Sequence, residues 1–182
     1  MKALIKSLTI PVFLLFSLAL KAEGDTKIGG VRAGYQYSTM APSAYSIDPL
    51  SSFYVGVFKN NKIVPGLHWT AGLEYFQTGY YKNADNQRVM GTLSVPVNIK
   101  VKAGPFFFLG GFSANVKLSE EYKIGGLDGP TNANAFDLPL HGGLGFRIAI
   151  INFEARYHYG MLKVDDSGTK NQYLQLGLGV SF

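Results

Sequence analysis

Three histidines and several carboxylates are the groups in this chain whose chemistry could support acid–base or nucleophilic catalysis. The histidines are His68, His141 and His158. Such catalysis needs a serine or cysteine nucleophile whose proton a neighbouring base can take. The chain has no cysteine, and no serine near a histidine has a spacing that suggests a nucleophile. We therefore predict no catalytic residues and no enzymatic activity, and we interpret the histidines as structural side chains.

The sequence also predicts no metal and no cofactor. Residues 165–168, Asp-Asp-Ser-Gly, lack the regular series of oxygen ligands of a calcium loop, so we interpret them as a polar surface turn. The glycine pairs at 110–111 and 142–143 lie inside predicted strands, whereas the glycines of a phosphate-binding loop precede a helix. Since these motifs predict no chemistry, the fold of the chain is the remaining guide to its function.

The C-terminal segment indicates what that architecture is. Residues 174–182 alternate between apolar and small or polar side chains, and the chain stops on phenylalanine. This pattern is typical of the closing strand of an outer-membrane β-barrel, whose two faces contact lipid and a polar lumen. A soluble sandwich would bury its apolar face against a second sheet. The predicted C-terminal barrel-assembly signal consists of Leu174, Leu176, Leu178, Val180 and Phe182.

The N-terminal segment agrees with export. Residues 1–22 have a basic start, an apolar run over 8–20 and small residues before a polar stretch. The run is too short to cross a bilayer, so we predict a signal peptide at 1–22, cleaved after Ala22, and a barrel domain at 23–182. Cleavage removes three of the 17 basic residues and leaves 14 against 12 acidic ones. That small excess gives no indication of nucleic acid as a partner.

Alternation of period two predicts eight strands, connected in turn by long loops and short turns. The predicted fold is an all-β, eight-stranded antiparallel up-and-down transmembrane barrel, with the first strand paired to the last and both termini in the periplasm. We expect long or polar connections at 39–51, 80–87, 119–135 and 161–170. The predicted strands are 27–38, 52–59, 67–79, 88–102, 104–118, 136–149, 150–160 and 171–182.

Two predicted hairpins fix a register. A turn at 149–150 places Ile148 opposite Ile151, and a turn at 103–104 places Val101 opposite Phe106. Pro96 and Pro139 fall within predicted strands, where each removes a ladder donor, so we expect bulges or strain there.

The alternation assigns apolar side chains to lipid, with tyrosines 35, 37, 75, 157 and 159 forming an interfacial girdle. The opposite face carries charges inside a lumen that eight strands leave only just wide enough for side chains to fill. Because unpaired buried charges are costly, we predict a structural charge network, with room provided by Gly143 and Gly145. Its members are Arg32, Glu74, Arg147, Glu154 and Arg156.

Several segments resemble the porin-like outer-membrane barrels of the PorT type. They are residues 71–79, 93–100, 104–111, 153–160 and 173–182, of which the Val-Pro stretch at 95–96 and Glu-Ala-Arg-Tyr at 154–157 are the most specific. The resemblance implies an eight-stranded barrel in the cell envelope of a Gram-negative bacterium. Some members of the family are tied to secretion machinery, so an envelope or secretion complex is an implied partner.

Together these observations predict a small integral outer-membrane barrel with a structural or interaction role through its surface loops and a packed, non-conducting lumen. Its expected partners are outer-membrane lipid and, during biogenesis, the barrel-assembly machinery. Two alternatives remain open. One is a lipid-modifying barrel enzyme, and the other is a soluble lipocalin-like carrier, which would have an apolar interior and a wet exterior.

Overall fold

Ten β-strands account for most of the chain in a computed structural model, which describes residues 28–41, 48–83, 86–129, 134–164 and 168–182. The predicted signal peptide at 1–22 lies outside these residues. Within them, no helix is both long and apolar enough to cross a membrane. The strands are β1 (Ile28–Ala41), β2 (Asp48–Val64), β3 (Leu67–Asn83), β4 (Asn86–Ala103), β5 (Phe106–Ile124), β6 (Leu127–Asp128), β7 (Phe136–Asp137), β8 (Leu140–Ile148), β9 (Ile151–Tyr159) and β10 (Lys170–Ser181).

Eight of these strands close into an antiparallel barrel. Each long strand pairs with its neighbour in sequence, and β5 pairs with β8 across the two short strands β6 and β7. The barrel closes between β1 and β10, where Gly30 pairs with Ser181 and Tyr37 with Leu174. The predicted eight-stranded up-and-down fold, with its first strand against its last, is confirmed.

The strands are longer than the alternation indicated on one side of the barrel. β2 to β5 contain 17 to 19 residues each, whereas β8 and β9 contain nine. The predicted loop at 39–51 is wrong in its bounds, because β1 continues to Ala41 and β2 already begins at Asp48. The loop at 80–87 is also wrong, since β3 and β4 remain paired as far as Asn83 and Asn86. Beyond the lipid both faces of a strand are wet, so the period-two signal disappears although the ladder continues.

The short turns lie at the opposite end of the barrel, at 65–66, 104–105 and 149–150. The register predicted across 149–150 is confirmed by the pairing of Ile148 with Ile151. The register predicted across 103–104 is wrong. The turn is Gly104-Pro105, with Gly104 at a φ of +62°, so Val101 pairs with Phe108 instead of Phe106. A shift of two residues keeps every side chain on its predicted face.

Neither proline produces the predicted bulge. Pro139 precedes β8, and Pro96 lies within β4 opposite Ser113 in an unshifted register. The ladder to β3 lacks pairs between Ala71–Val97 and Glu74–Ser94 but resumes in the same register. The register between β4 and β5 shifts closer to the loop end, where Leu118 is an extra residue between Lys117 and Ser119.

Ala149 is a strained position, because its φ of +52° lies in the left-handed region that disfavours a Cβ. We expect Ala149→Gly to stabilise the folded barrel by about 1 kcal/mol. The matched control is Ala103→Gly, in a paired strand end, which should instead destabilise by about 0.5–1 kcal/mol. Reversible urea unfolding in phospholipid vesicles measures both changes, and equal signs for the two variants would contradict the turn geometry.

Candidate functional site

The outer surface of the barrel is an apolar belt bounded by aromatic rings. Tyrosines 35, 37, 75, 157 and 159 all point outward on β1, β3 and β9 and are 38–49% exposed. At the short-turn end a row of phenylalanines crosses three strands, where Phe106 pairs with Phe146 and Phe146 with Phe153. Phe146 and Phe153 stack with ring centroids 4.5 Å apart. The pair across the 149–150 turn follows from the predicted hairpin, whereas the continuation of the row to Phe106 on β5 was not predicted.

The predicted C-terminal barrel-assembly signal occupies the outer face of β10. Its side chains are 38–78% exposed and alternate with inward residues such as Gln175. Its role in assembly stays a prediction.

Two arginines and two glutamates alternate in a ring at the centre of the lumen. Arg156 contacts Glu74 (Nη2 to Oε1) and Glu154 (Nε to Oε1), both at 2.8 Å. Arg32 contacts Glu74 at 2.5 Å and Glu154 at 3.4 Å. All four side chains are at most 8% exposed. Each charge therefore has two partners of opposite sign, which offsets part of the cost of removing it from water.

The structure does not place Arg147 in this ring. Arg147 lies at the short-turn end, where its Nε donates to the carbonyl of Ala149 at 2.6 Å. Lys100 lies nearer, with Nζ 4.0 Å from Oε2 of Glu154. Alternation assigned Arg147 to the correct face but carried no information on its height along the barrel axis.

Glycines provide the room for the charge ring. Of the two glycines predicted to do so, Gly143 does and Gly145 does not. A Cβ on Gly143 would lie 2.9 Å from Cγ of Arg156 and 2.5 Å from the carbonyl of Ala155. Opposite Glu74, a Cβ on Gly56 would lie 2.6 Å from that side chain's Cγ. A Cβ on Gly145 would lie 2.4 Å from Cζ of Phe107, so the ring of Phe107 fills the space that was predicted to accommodate Glu154.

Aromatic rings stack on the lumen cations, which explains why β2 is apolar on both faces. Its outward residues, such as Phe53, belong to the belt, whereas Tyr54 and Phe58 point inward. The guanidinium carbon of Arg156 lies 5.4 Å from the ring centroid of Tyr54, and that of Arg32 lies 5.3 Å from Phe58. Cation–π contacts of this kind gain strength away from water.

A serine, a histidine and an asparagine form a buried polar chain next to the ring. Ser113 Oγ lies 3.2 Å from His141 Nδ1, and His141 Nε2 is in contact with Asn98 Oδ1. Ser113 is 0% exposed. This group was not predicted, because its members come from β4, β5 and β8 and no local spacing in the sequence connects them. His158 continues it, because its ring packs at a tilt of 35° against His141 and stacks on Tyr173. His68 lies apart, with Nε2 3.3 Å from Nζ of Lys102.

The inward side chains fill the lumen. Arg156, Tyr54, Tyr173, Phe76 and Gln36 are each less than 2% exposed. A water-filled channel along the axis would expose them. Gln175 and Gln36 close the layer above the ring through a 2.7 Å hydrogen bond.

A second charged cluster lies at the loop end, beyond the membrane-spanning part of the strands. Arg88 donates to Oε1 of Glu120 through Nε at 2.9 Å and Nη2 at 2.7 Å, and Lys117 Nζ lies 2.5 Å from Oε2. Burial alone would raise the pKa of Glu120, but these hydrogen bonds outweigh it and hold the pKa below its ordinary value. The cluster fixes the ends of β4 and β5, which rise above the rest of the barrel.

The surface connections at 134–137 and 163–164 fold over the mouth of the barrel at the loop end. Backbone bonds join Lys117 to Ala135 and Asn134 to Val164. Val164 is 5% exposed and packs against Met90. Among the described residues no three His, Asp or Glu side chains come together as metal ligands. Residues 165–167, most of the segment considered as a calcium loop, lie outside the described residues.

A closed eight-stranded barrel with an apolar belt and a packed, charged interior has the fold of the small outer-membrane β-barrels. The attachment invasion locus protein Ail of Yersinia pestis has the same fold, with a TM-score of 0.60 at 16% identity over 87% of this chain and 100% of Ail. Neisserial surface protein A gives 0.53 at 14% identity over 88% of this chain and 100% of its own. At these identities the similarity concerns the fold alone. The chain matches no protein-family model and no curated protein sequence.

Proposed function

We propose that this protein is a small integral outer-membrane barrel that acts through its surface loops and whose lumen is closed to ions. The observation that carries the proposal is the distribution of polarity, with apolar side chains outside and a paired charge ring inside. A lipocalin-like carrier requires the reverse distribution. Bilayer lipid is the partner that an exposed apolar belt fits. We keep the PorT-type family as part of the proposal, on the resembling segments alone.

The orientation we propose places both termini and the turns at 65–66, 104–105 and 149–150 in the periplasm. It rests on the contrast between those two-residue turns and the other end of the barrel, where three of the four connections between barrel strands are longer and two residues join only β3 to β4. Short periplasmic turns and longer surface connections are the usual arrangement of outer-membrane barrels. The barrel-assembly machinery would then meet β10 from the periplasm. An envelope or secretion complex would be reached through the surface connections, and neither interaction involves nucleic acid.

A lipid-modifying enzyme is the second candidate, because Ser113 and His141 are within hydrogen-bond reach. We propose that they are structural, since a nucleophile must meet its substrate and Ser113 is fully buried in the lumen. A serine-reactive phosphonate needs a serine that a base activates and that the reagent can reach, so it should leave the folded barrel unlabelled. Labelling of the folded wild type that Ser113→Ala abolishes would instead favour the enzyme.

The wild-type barrel is expected to pass no steady ion current in a planar bilayer, because its central side chains are buried and paired. A porin inserted under the same conditions serves as the positive control. Arg156→Ala should destabilise the barrel before it opens a conducting path, since Glu74 and Glu154 then each lose a partner. Steady single-channel currents of porin size from the folded monomer would contradict the closed lumen.

The interaction role needs a separate test. A tagged barrel, crosslinked in its own cells, should recover a defined envelope partner. Recovery should fall when the connection between β9 and β10 is exchanged for that of an unrelated eight-stranded barrel, while folding is unchanged. Equal recovery with both connections would count against a role for that loop.

A further inference from the structure

A small cavity lies at the loop end, between the barrel wall and the surface connections that fold over it. Its volume is about 20 Å³, enough for one water molecule or one ion. Residues of β3, β4, β5 and β10 form one side, and residues of the connections at 134–137 and 163–164 form the other. An occupant would therefore contact the barrel and both connections at once.

Four oxygen atoms of the residues that line this cavity have no hydrogen-bond partner within the protein. They are Thr78 Oγ1, Asn115 Oδ1, Asp137 Oδ2 and Asn171 Oδ1. Thr78 and Asn115 are only 2% and 5% exposed. Buried polar atoms are nearly always paired, so four in one place need an explanation.

The remaining atoms of these side chains fix which oxygens are left over. Asn115 Nδ2 donates to the hydroxyl of Tyr173 at 3.1 Å, so its Oδ1 stays free. Asp137 Oδ1 accepts from the backbone N–H of Leu138 at 2.8 Å and of Leu162 at 3.3 Å, which leaves Oδ2. These oxygens are therefore held in place before any ligand arrives.

The chemistry of the four oxygens favours a cation. Three of them can only accept hydrogen bonds, and one water molecule can donate only two. Burial raises the pKa of Asp137 and outweighs its hydrogen bonds from Leu162, Leu138 and the side chain of Asn171 and the nearby charge of Lys170, which all lower it. Lys117 also lines the cavity, but its ammonium is held by Glu120.

We infer that this cavity is a binding site for a hard cation of the size of calcium, held by one carboxylate, two amide oxygens and one hydroxyl. Calcium accepts such mixed oxygen ligands in irregular geometry, whereas magnesium demands a near-ideal octahedron and dehydrates reluctantly. With a single carboxylate and lysines 117 and 163 nearby, the site should be weak. The bound ion would tie the two surface connections to the barrel wall.

Calorimetric titration of the folded barrel with calcium chloride tests this site. We expect saturable binding with a Kd on the order of 10⁻⁴–10⁻³ M, and weaker or no binding of magnesium. Asp137→Asn should weaken calcium binding at least about tenfold, because it removes the charged ligand. Thr78→Val, which keeps the side-chain volume, should weaken it by a smaller factor and decides the question if Asp137→Asn fails to fold.

The matched control is Glu121→Gln. Glu121 is another loop-end carboxylate but lies on the outer surface, 2.9 Å from Lys123 Nζ. Its replacement should leave calcium binding unchanged. The site is refuted if the wild type shows no saturable binding, which would mean that the cavity holds water only. It is equally refuted if Glu121→Gln weakens binding as much as Asp137→Asn, which would mean a diffuse counterion effect.

Discussion

Replacing Glu74 by alanine is expected to destabilise the folded barrel by about 3–5 kcal/mol, the usual cost of leaving a buried charge without its partner. Arg32 and Arg156 would then share Glu154, which Lys100 also approaches, in a buried part of the lumen. Unfolding by urea in phospholipid vesicles measures the loss, with the fluorescence of the single tryptophan, Trp69, as the signal.

The control for this variant is the same substitution at Glu121. That carboxylate is exposed and pairs with Lys123 on the outer surface, so its loss should cost no more than about 1 kcal/mol. Combining Glu74→Ala with Arg156→Ala should cost less than the two single changes added together, because removing the second charge relieves the first. If Glu74→Ala and Glu121→Ala cost the same, the ring is not a stabilising element.

An arginine at Leu178 is expected to impair folding into lipid by about 2–4 kcal/mol, the penalty for a cation near the bilayer midplane. Leu178 is 53% exposed and is the middle one of the five outward residues from Leu174 on β10 to Phe182, which directly follows the strand. Those residues begin beside Tyr37 and end at Phe182, so the two aromatic boundaries lie on either side of it. Reversible folding into vesicles of a defined lipid measures the penalty.

Leu127→Arg provides the comparison, since Leu127 is 75% exposed in the hairpin beyond β5 and outside the apolar belt. The same chemical change should cost close to nothing there. A thinner bilayer should move the position of the largest penalty, because the belt and not the particular residue determines it. Equal penalties at the two leucines would mean that the belt does not contact lipid.

Most members of the charge ring could be predicted, because the face of a side chain depends only on its parity, that is, on whether its position along the strand is odd or even. In a strand every second side chain shares a face, so Arg32, Glu74, Glu154 and Arg156 could be assigned to the lumen without knowing any contact. Arg147 obeys the same parity and yet lies outside the ring, because parity carries no height. Height depends on the stagger between strands, which pairing across the barrel decides.

The polar chain of Ser113, His141 and Asn98 was missed for the same reason. Its three strands follow one another around the barrel, but the pairing of β5 with β8 bypasses the long connection between them. No local spacing signals that contact. The oxygen-lined cavity at the loop end is a further case, since its walls come from four strands and two connections.

The sequence by itself determined the number of barrel strands, the face of each side chain and the closure of the first strand against the last, because lipid outside and a polar lumen inside impose a period of two. Only the tertiary structure decided how far β2 to β5 extend beyond the belt, which cations stack on Tyr54 and Phe58, and which charges meet. Those features depend on stagger and on side-chain packing between strands distant in the chain, and a period of two is the same for every stagger that preserves the faces.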